Sequence, residues 1–168
     1  MWKSVAAGAL GGLIGAFAMN QYQSLVSSAK TALSERSGAS NDSGEQQSSS
    51  QDEDATIKTA KAISAGVFNH ELTDEEKKWA GPLVHYGFGT TLGALYGFAS
   101  ETVPAAEAGL GSAYGAAVWL VADEIAVPAF GLSKPATETP LSSHIDALIA
   151  HLVFGVATAL TKKLFVRS

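Results

Sequence analysis

Cysteine is absent from this chain and charge is scarce: 16% of its 168 residues are Asp, Glu, Lys or Arg, against about 25% in an ordinary soluble domain. The missing thiols exclude disulfides, thiolate zinc sites, iron–sulfur clusters, covalently attached c-type haem and a cysteine nucleophile. Basic residues are fewer still, 11 against 16 acidic ones, for a net charge of -5. No basic stripe is present, which argues against a nucleic-acid partner, because phosphate binding depends on Lys and Arg. What the chain has in quantity is apolar or small: 46% of residues are hydrophobic and 17 are glycine.

The charges are segregated into residues 20–79, which carry ten of the acidic and six of the basic side chains. Outside that region lie four stretches near the length of about 20 apolar residues that a bilayer requires. The first is Ser4–Tyr22, bracketed by Trp2 and Tyr22 where interfacial aromatics belong. The second, Ala80–Ser100, has no charged residue and has Trp79 at its entrance. Gly109–Phe130 is interrupted only by Asp123 and Glu124, and Ile145–Thr161 ends at Lys162 and Lys163. The pattern predicts an all-α integral membrane bundle of four transmembrane helices, at 1–22, 80–100, 109–130 and 145–161. A soluble bundle is the rival, but its helices would show a polar face. A secretory signal is a second reading of the N-terminus, through Lys3 and Ala16-Phe17-Ala18, though its charge-poor start and paired glycines fit helix packing better.

Small residues occupy the positions where that polar face would be. Gly8 and Gly12 lie four apart in the first span, Gly89, Gly93 and Gly97 form a series in the second, and Gly111 and Gly115 open the third. Gly155 shares a stripe with Ala147, His151 and Ala159 in the fourth. Such spacing allows helix backbones to approach closely in lipid, where packing rather than the hydrophobic effect drives association.

Residues 23–79 read as a polar, acidic loop. From Ser34 to Thr56 there is no large hydrophobe, so 34–56 is expected to be disordered. Ile57, Ala60, Ile63 and Val67 then recur at helical spacing, consistent with a short amphipathic helix at the headgroups. Thr73 and Glu76 form a capping box that starts a helix leading into the second span, with Pro82 as a kink or restart. Lys3, Lys162, Lys163 and Arg167 favour a cytoplasmic location for both termini.

Ionisable groups inside apolar spans are costly and mark either function or a required pairing. His85, Asp123, Glu124 and His151 make up that polar centre, with His144 and Asp146 as outer contributors. Asp123 and Glu124 point about 100° apart on an α-helix, so they do not face the same partner. Three readings stay open: interhelical pairing that sets helix register, a titrating relay, and a bound metal or haem b. The last lacks an organising motif, for neither His-Glu-x-x-His nor Glu-x-x-His occurs. Gly87-x-Gly89 runs into Thr90-Thr91 rather than a phosphate loop. No catalytic residue, metal site or cofactor is expected.

The segments AGPLVHYGFGTTLGALYGFASETVP, GAAVWLVADEIAVPAFGLSKP and AHLVFGVATALTKK, over roughly residues 80–165, resemble the YagU-like family of small bacterial inner-membrane proteins of unknown function. His85 at the opening of the second span, Pro128 and Gly131-Leu132 after the third, and His151 ahead of the basic residues match the family pattern. Asp123 stands where such proteins often carry His. The resemblance implies a multi-pass inner-membrane protein without an established activity. The expected role is structural or accessory, or related to pH or envelope stress. Proton, ion or small-solute transport through the His/carboxylate centre is one alternative, and a haem- or metal-binding membrane subunit the other. The expected partners are the lipid bilayer and either further copies of the chain or a larger membrane complex.

Overall fold

The computed structural model describes residues 1–37 and 47–166, with side chains described for 1–36, 55–135 and 137–166. The described residues are helical or in turns, with no strand among them. Helix α1 spans Trp2–Ser37, α2 Gln47–Phe68 and α3 Asp74–Thr102. A 3-10 turn, Pro104–Gly111, leads into α4, Ser112–Val118, which continues as a π-helical segment, Trp119–Ala126, and ends in the short α5, Val127–Ala129. Helix α6 is Leu141–Val166.

Local chemistry accounts for several of these boundaries. Thr73 caps α3: its hydroxyl accepts the Glu76 N–H at 3.3 Å while its own N–H donates to the Glu76 carboxylate at 2.8 Å. Asp74, Glu75 and Glu76 fill the first turn, where the helix dipole favours negative charge. Helix α3 runs on through Pro82 without ending. The turn before α4 places Gly109, Leu110 and Gly111 all at positive φ. Further along, Pro128 cannot donate a backbone hydrogen bond, and its ring opposes the carbonyl four residues earlier. The wide i→i+5 winding just before it relieves that conflict, and the Val127 N–H accordingly reaches back to the Ala122 carbonyl.

Two expectations are met only in part. Three helices, not four, are long and apolar enough to cross a membrane among the described residues: Trp2–Arg36, Pro104–Ala129 and Leu141–Val166. Helix α3 falls short because, between Ala80 and Ser100, five glycines, His85, Tyr86, Tyr96 and two threonines dilute its hydropathy. The polar loop is also shorter than expected. Helix α1 continues past Tyr22 to Ser37, and α2 begins at Gln47, inside the 34–56 stretch expected to lack structure. The rest of that stretch, residues 38–46, lies outside the described residues.

Helix α1 packs against both α3 and α6, and α6 packs in turn against α4. Each contact is antiparallel and made by small residues. A methyl group added to Gly12 would come within 2.7 Å of the Gly93 Cα, and one on Gly155 within 2.9 Å of the Gly115 Cα. Thr158, fully buried, places its hydroxyl 3.3 Å from the Gly11 carbonyl of α1. The largest side chains are distributed the other way. Phe17, Phe88, Leu95, Leu120 and Ile125 are exposed, whereas Ala7, Ala16, Ala150 and Ala159 are buried. This inverts the arrangement of a water-soluble domain and suits a bundle surrounded by lipid.

Candidate functional site

The site lies where α3 and α4 separate. At one end Tyr114 bridges them: its hydroxyl donates to the Leu92 carbonyl of α3 at 2.7 Å, and its ring packs 5.1 Å from that of Tyr96. Below that bridge the two helices diverge around a cavity of about 600 Å³. Helices α1 and α6 contribute Met19, Ala147 and Phe154 to its lining, and α2 contributes Thr56 and Thr59 at the end far from Tyr114. Lys58 of α2 holds that end in place by donating to the Leu132 carbonyl at 3.1 Å.

The histidines and carboxylates of the lining come from three elements. The π-helical segment presents Asp123 and Glu124, α6 presents His144 and His151, and α3 presents His85. His144 Nδ1 donates to Glu124 Oε1 at 2.6 Å, an ion pair when the imidazole is protonated. Asp123 Oδ2 stands 3.5 Å from His151 Nδ1, which donates at shorter range, 2.9 Å, to the Ala147 carbonyl of its own helix. The two histidines lie seven residues apart and so share one face of α6. Adjacent residues in a π-helical turn are separated by less than the about 100° of an α-helix. That tighter angle lets neighbouring carboxylates both address α6 while meeting different histidines.

The remaining sequence-derived residues are placed differently. His85 lines the same cavity, but its Nε2–H donates to the Ala16 carbonyl of α1 at 3.4 Å, and its ring meets Tyr86 edge-on. Asp146 points away from the cavity and accepts from Lys30 at 2.7 Å. Among the described residues, no three His, Asp or Glu side chains are grouped as metal ligands would be. Gly8, Gly12, Gly89, Gly93 and Gly97 lie at the α1–α3 contact, and Gly111, Gly115 and Gly155 at the α4–α6 contact.

Three polar contacts carried no signal in the sequence. Lys30 belongs to the part of α1 beyond the apolar run, so nothing local marks it as the partner of Asp146. Lys162, read as a flanking charge, is buried and donates to Glu107 at 3.1 Å. Ser4 donates to Glu101, which also faces the N-terminal ammonium at 3.5 Å. These contacts form two polar levels. Sixteen residues of α6 separate Asp146 from Lys162, about 24 Å at a rise of about 1.5 Å per residue. Glu124 and His144 sit at the Asp146 level, near one end of the apolar zone.

Glu76 accepts from the Thr73 N–H, His70 and the Thr73 hydroxyl, in that order of effect, and its carboxyl is pulled down from 4.5 to about 2. It belongs to the cap of α3, not to the cavity.

The family model that matches, over residues 57–160, is described as Protein of unknown function (DUF1440). No curated protein matches the chain, and no solved structure does. The matched region begins in α2 and ends in α6, so it contains His85, Asp123, Glu124, His144 and His151 of the cavity and excludes α1 and Thr56. Because that region is more than half of the chain, the protein belongs to the DUF1440 family of proteins of unknown function.

Proposed function

We propose that the protein is a structural or accessory component of the bacterial inner membrane, with the carboxylate–histidine pairs locking the third apolar helix onto α6. The observation that carries this reading is the Glu124–His144 contact at 2.6 Å between two elements that otherwise meet through glycine. Polar groups in an apolar zone must find partners within the protein, and these do so across a helix interface. The resemblance to YagU-like proteins supports the inner-membrane assignment. Helix α3 crosses with the other three in this reading, since it packs along α1 throughout their shared length. Both termini then lie on one side, because the start of α1 and the end of α6 flank the α3–α4 turn through Met1–Glu101 and Lys162–Glu107. We place that side in the cytoplasm, in keeping with Lys3, Lys162 and Lys163.

A transport reading is favoured by one feature, the convergence of His85, Asp123, Glu124 and His144 on a single cavity. Proton flux through proteoliposomes separates the two. A structural role predicts flux no greater than that of protein-free liposomes, for the native chain and for Asp123→Asn and Glu124→Gln alike. Flux that the native chain supports and Glu124→Gln abolishes would replace this reading with a conduction pathway.

A further inference from the structure

Helix α2 packs chiefly on α3. The side chains it buries are small, Ala55, Ala60 and Ser64, while Lys61, Ile63 and Val67 are exposed. Beneath it a methyl group added to Gly81 of α3 would meet Ile57 at 3.2 Å and Thr56 at 3.4 Å. Small side chains bury little apolar area, and an element held that way opens locally before the bundle as a whole does.

The two ends of α2 are fastened unequally. At the corner with α3, Ser64 Oγ donates to the His70 carbonyl at 2.8 Å, the His70 N–H donates to the Ser64 carbonyl at 3.2 Å, and His70 Nε2 donates to the Glu76 carboxylate at 3.0 Å. Asn69 makes the turn there at φ +50°, a conformation that Asn tolerates better than most residues. Toward the other end, Lys58 reaches away from α3 to the Leu132 carbonyl at 3.1 Å, through an exposed hydrogen bond. Eleven residues separate Lys58 from Asn69, a lever of about 16 Å at a rise of about 1.5 Å per residue.

The lightly held end covers the cavity. Ala55, Thr56 and Thr59 wall its far end on one side, and Leu132, Ser133 and Lys134, in the turn after α5, wall it on the other. The Lys58–Leu132 bond crosses the seam between these walls. At the opposite end the Tyr114 hydroxyl closes on the Leu92 carbonyl. At the side, the exposed Phe88 and Val121 meet lipid rather than water.

We propose that α2 is a lid, hinged at residues 69–73 and latched by Lys58, that admits water-borne solutes to the cavity from the membrane face opposite the termini. Opening the seam leaves the Tyr114 bridge shut, so access is one-sided and the flux result expected of a structural role is unchanged. The carboxylate–histidine pairs take no part in the latch, so the lid and the structural reading fail separately.

The test exploits the lack of cysteine in the chain. Full chains in nanodiscs carry one thiol each: Ser143→Cys in the cavity lining, Ala62→Cys on the outer face of α2, or Ala150→Cys, fully buried and outside the lining. Each is treated with a cationic and an anionic water-soluble thiosulfonate. Expected for Ser143→Cys is a measurable rate, about tenfold or more below that of Ala62→Cys, with Ala150→Cys unreactive. Adding Lys58→Met speeds Ser143→Cys about fivefold with both reagents, the gain in open population from losing one hydrogen bond. It leaves Ala150→Cys unreactive, and Lys58→Arg, which keeps a donor, leaves the Ser143→Cys rate near its starting value.

Equal rates for Ser143→Cys and Ala62→Cys would overturn the proposal, because the cavity end would then stand open. No reaction at Ser143→Cys, or a rate unmoved by Lys58→Met, would overturn it too. Acceleration of the cationic reagent alone would mark an effect of the lost charge, and a parallel rise at Ala150→Cys a loosening of the whole bundle; either would overturn the latch. The three single-thiol chains distinguish a lid from a fixed wall even if the Lys58 variants fail to fold.

Discussion

Glu124 and His144, twenty residues apart in sequence, meet at 2.6 Å, while the neighbouring Asp123 stands 3.5 Å from His151. The closer pair is expected to be the stronger. In a double-mutant cycle built from Glu124→Gln and His144→Gln, the coupling energy should be about 1 kcal/mol, within the range found for interhelical hydrogen bonds in membranes. The corresponding cycle with Asp123→Asn and His151→Gln should give a smaller value. Unfolding in mixed micelles at neutral pH measures both. Equal couplings, or a larger one for the Asp123 pair, would refute the ranking.

The α1–α3 interface makes a steric prediction. Gly93 faces the Gly12 Cα, whereas nothing lies within 4 Å of a methyl group added at Gly87 on the same helix. Gly93→Val should therefore destabilise the bundle by about 1–3 kcal/mol, the range for overpacking a tight contact. Gly87→Val should change stability by less than about 0.5 kcal/mol, as surface substitutions usually do. A detergent unfolding series on the two variants distinguishes them, and similar losses would show that helix propensity, not contact, governs both.

Gly111 presents a different constraint, because its φ is +88° as well as its backbone lying against Gly155 and Ala159. Replacement by Ala strains the turn and pushes α4 from α6 together. Gly111→Ala should cost more than Ala substitution at Gly131, which has φ +69° but open space around it. Comparing thermal midpoints in one detergent tests this, and the reverse order would mean that the turn conformation alone matters.

The cap of α3 has a defined pH dependence. The Glu76 carboxyl is depressed to about 2 from 4.5, principally by the Thr73 N–H, then by His70 and the Thr73 hydroxyl. A depressed acid stabilises the fold fully above its unfolded value and ceases to do so as pH falls through its folded value. The contribution of Glu76 should thus be complete above about pH 5 and fade between 4.5 and about 2. In Glu76→Gln, amide exchange over the first turn of α3 should lose this acid dependence. An exchange profile identical to that of the native chain between those values would show that the cap does not depend on the charge.

The apolar runs, the glycine spacing and the Thr73–Glu76 box are readable along the chain, because hydropathy and capping depend on neighbours within a turn or two. The same local reading set α3 level with the other three spans, since freedom from charge between Ala80 and Ser100 concealed the dilution of its hydropathy by glycine, tyrosine and threonine. It also ended α1 at Tyr22, because polar residues stop an apolar run without stopping a helix.

Long-range pairing had no such local mark. His144 was an outer contributor by sequence and stands at the closest contact of the site, because the π-helical winding before Pro128 sets where Glu124 points. Asp146 went instead to Lys30, and Lys162 to Glu107. The amino-acid order was sufficient to specify which surfaces are apolar and which helix faces are thin enough to touch. Which carboxylate meets which histidine, and the wedge left between α3 and α4, arise only when helices distant in sequence adopt a common axial register, a property no single segment contains.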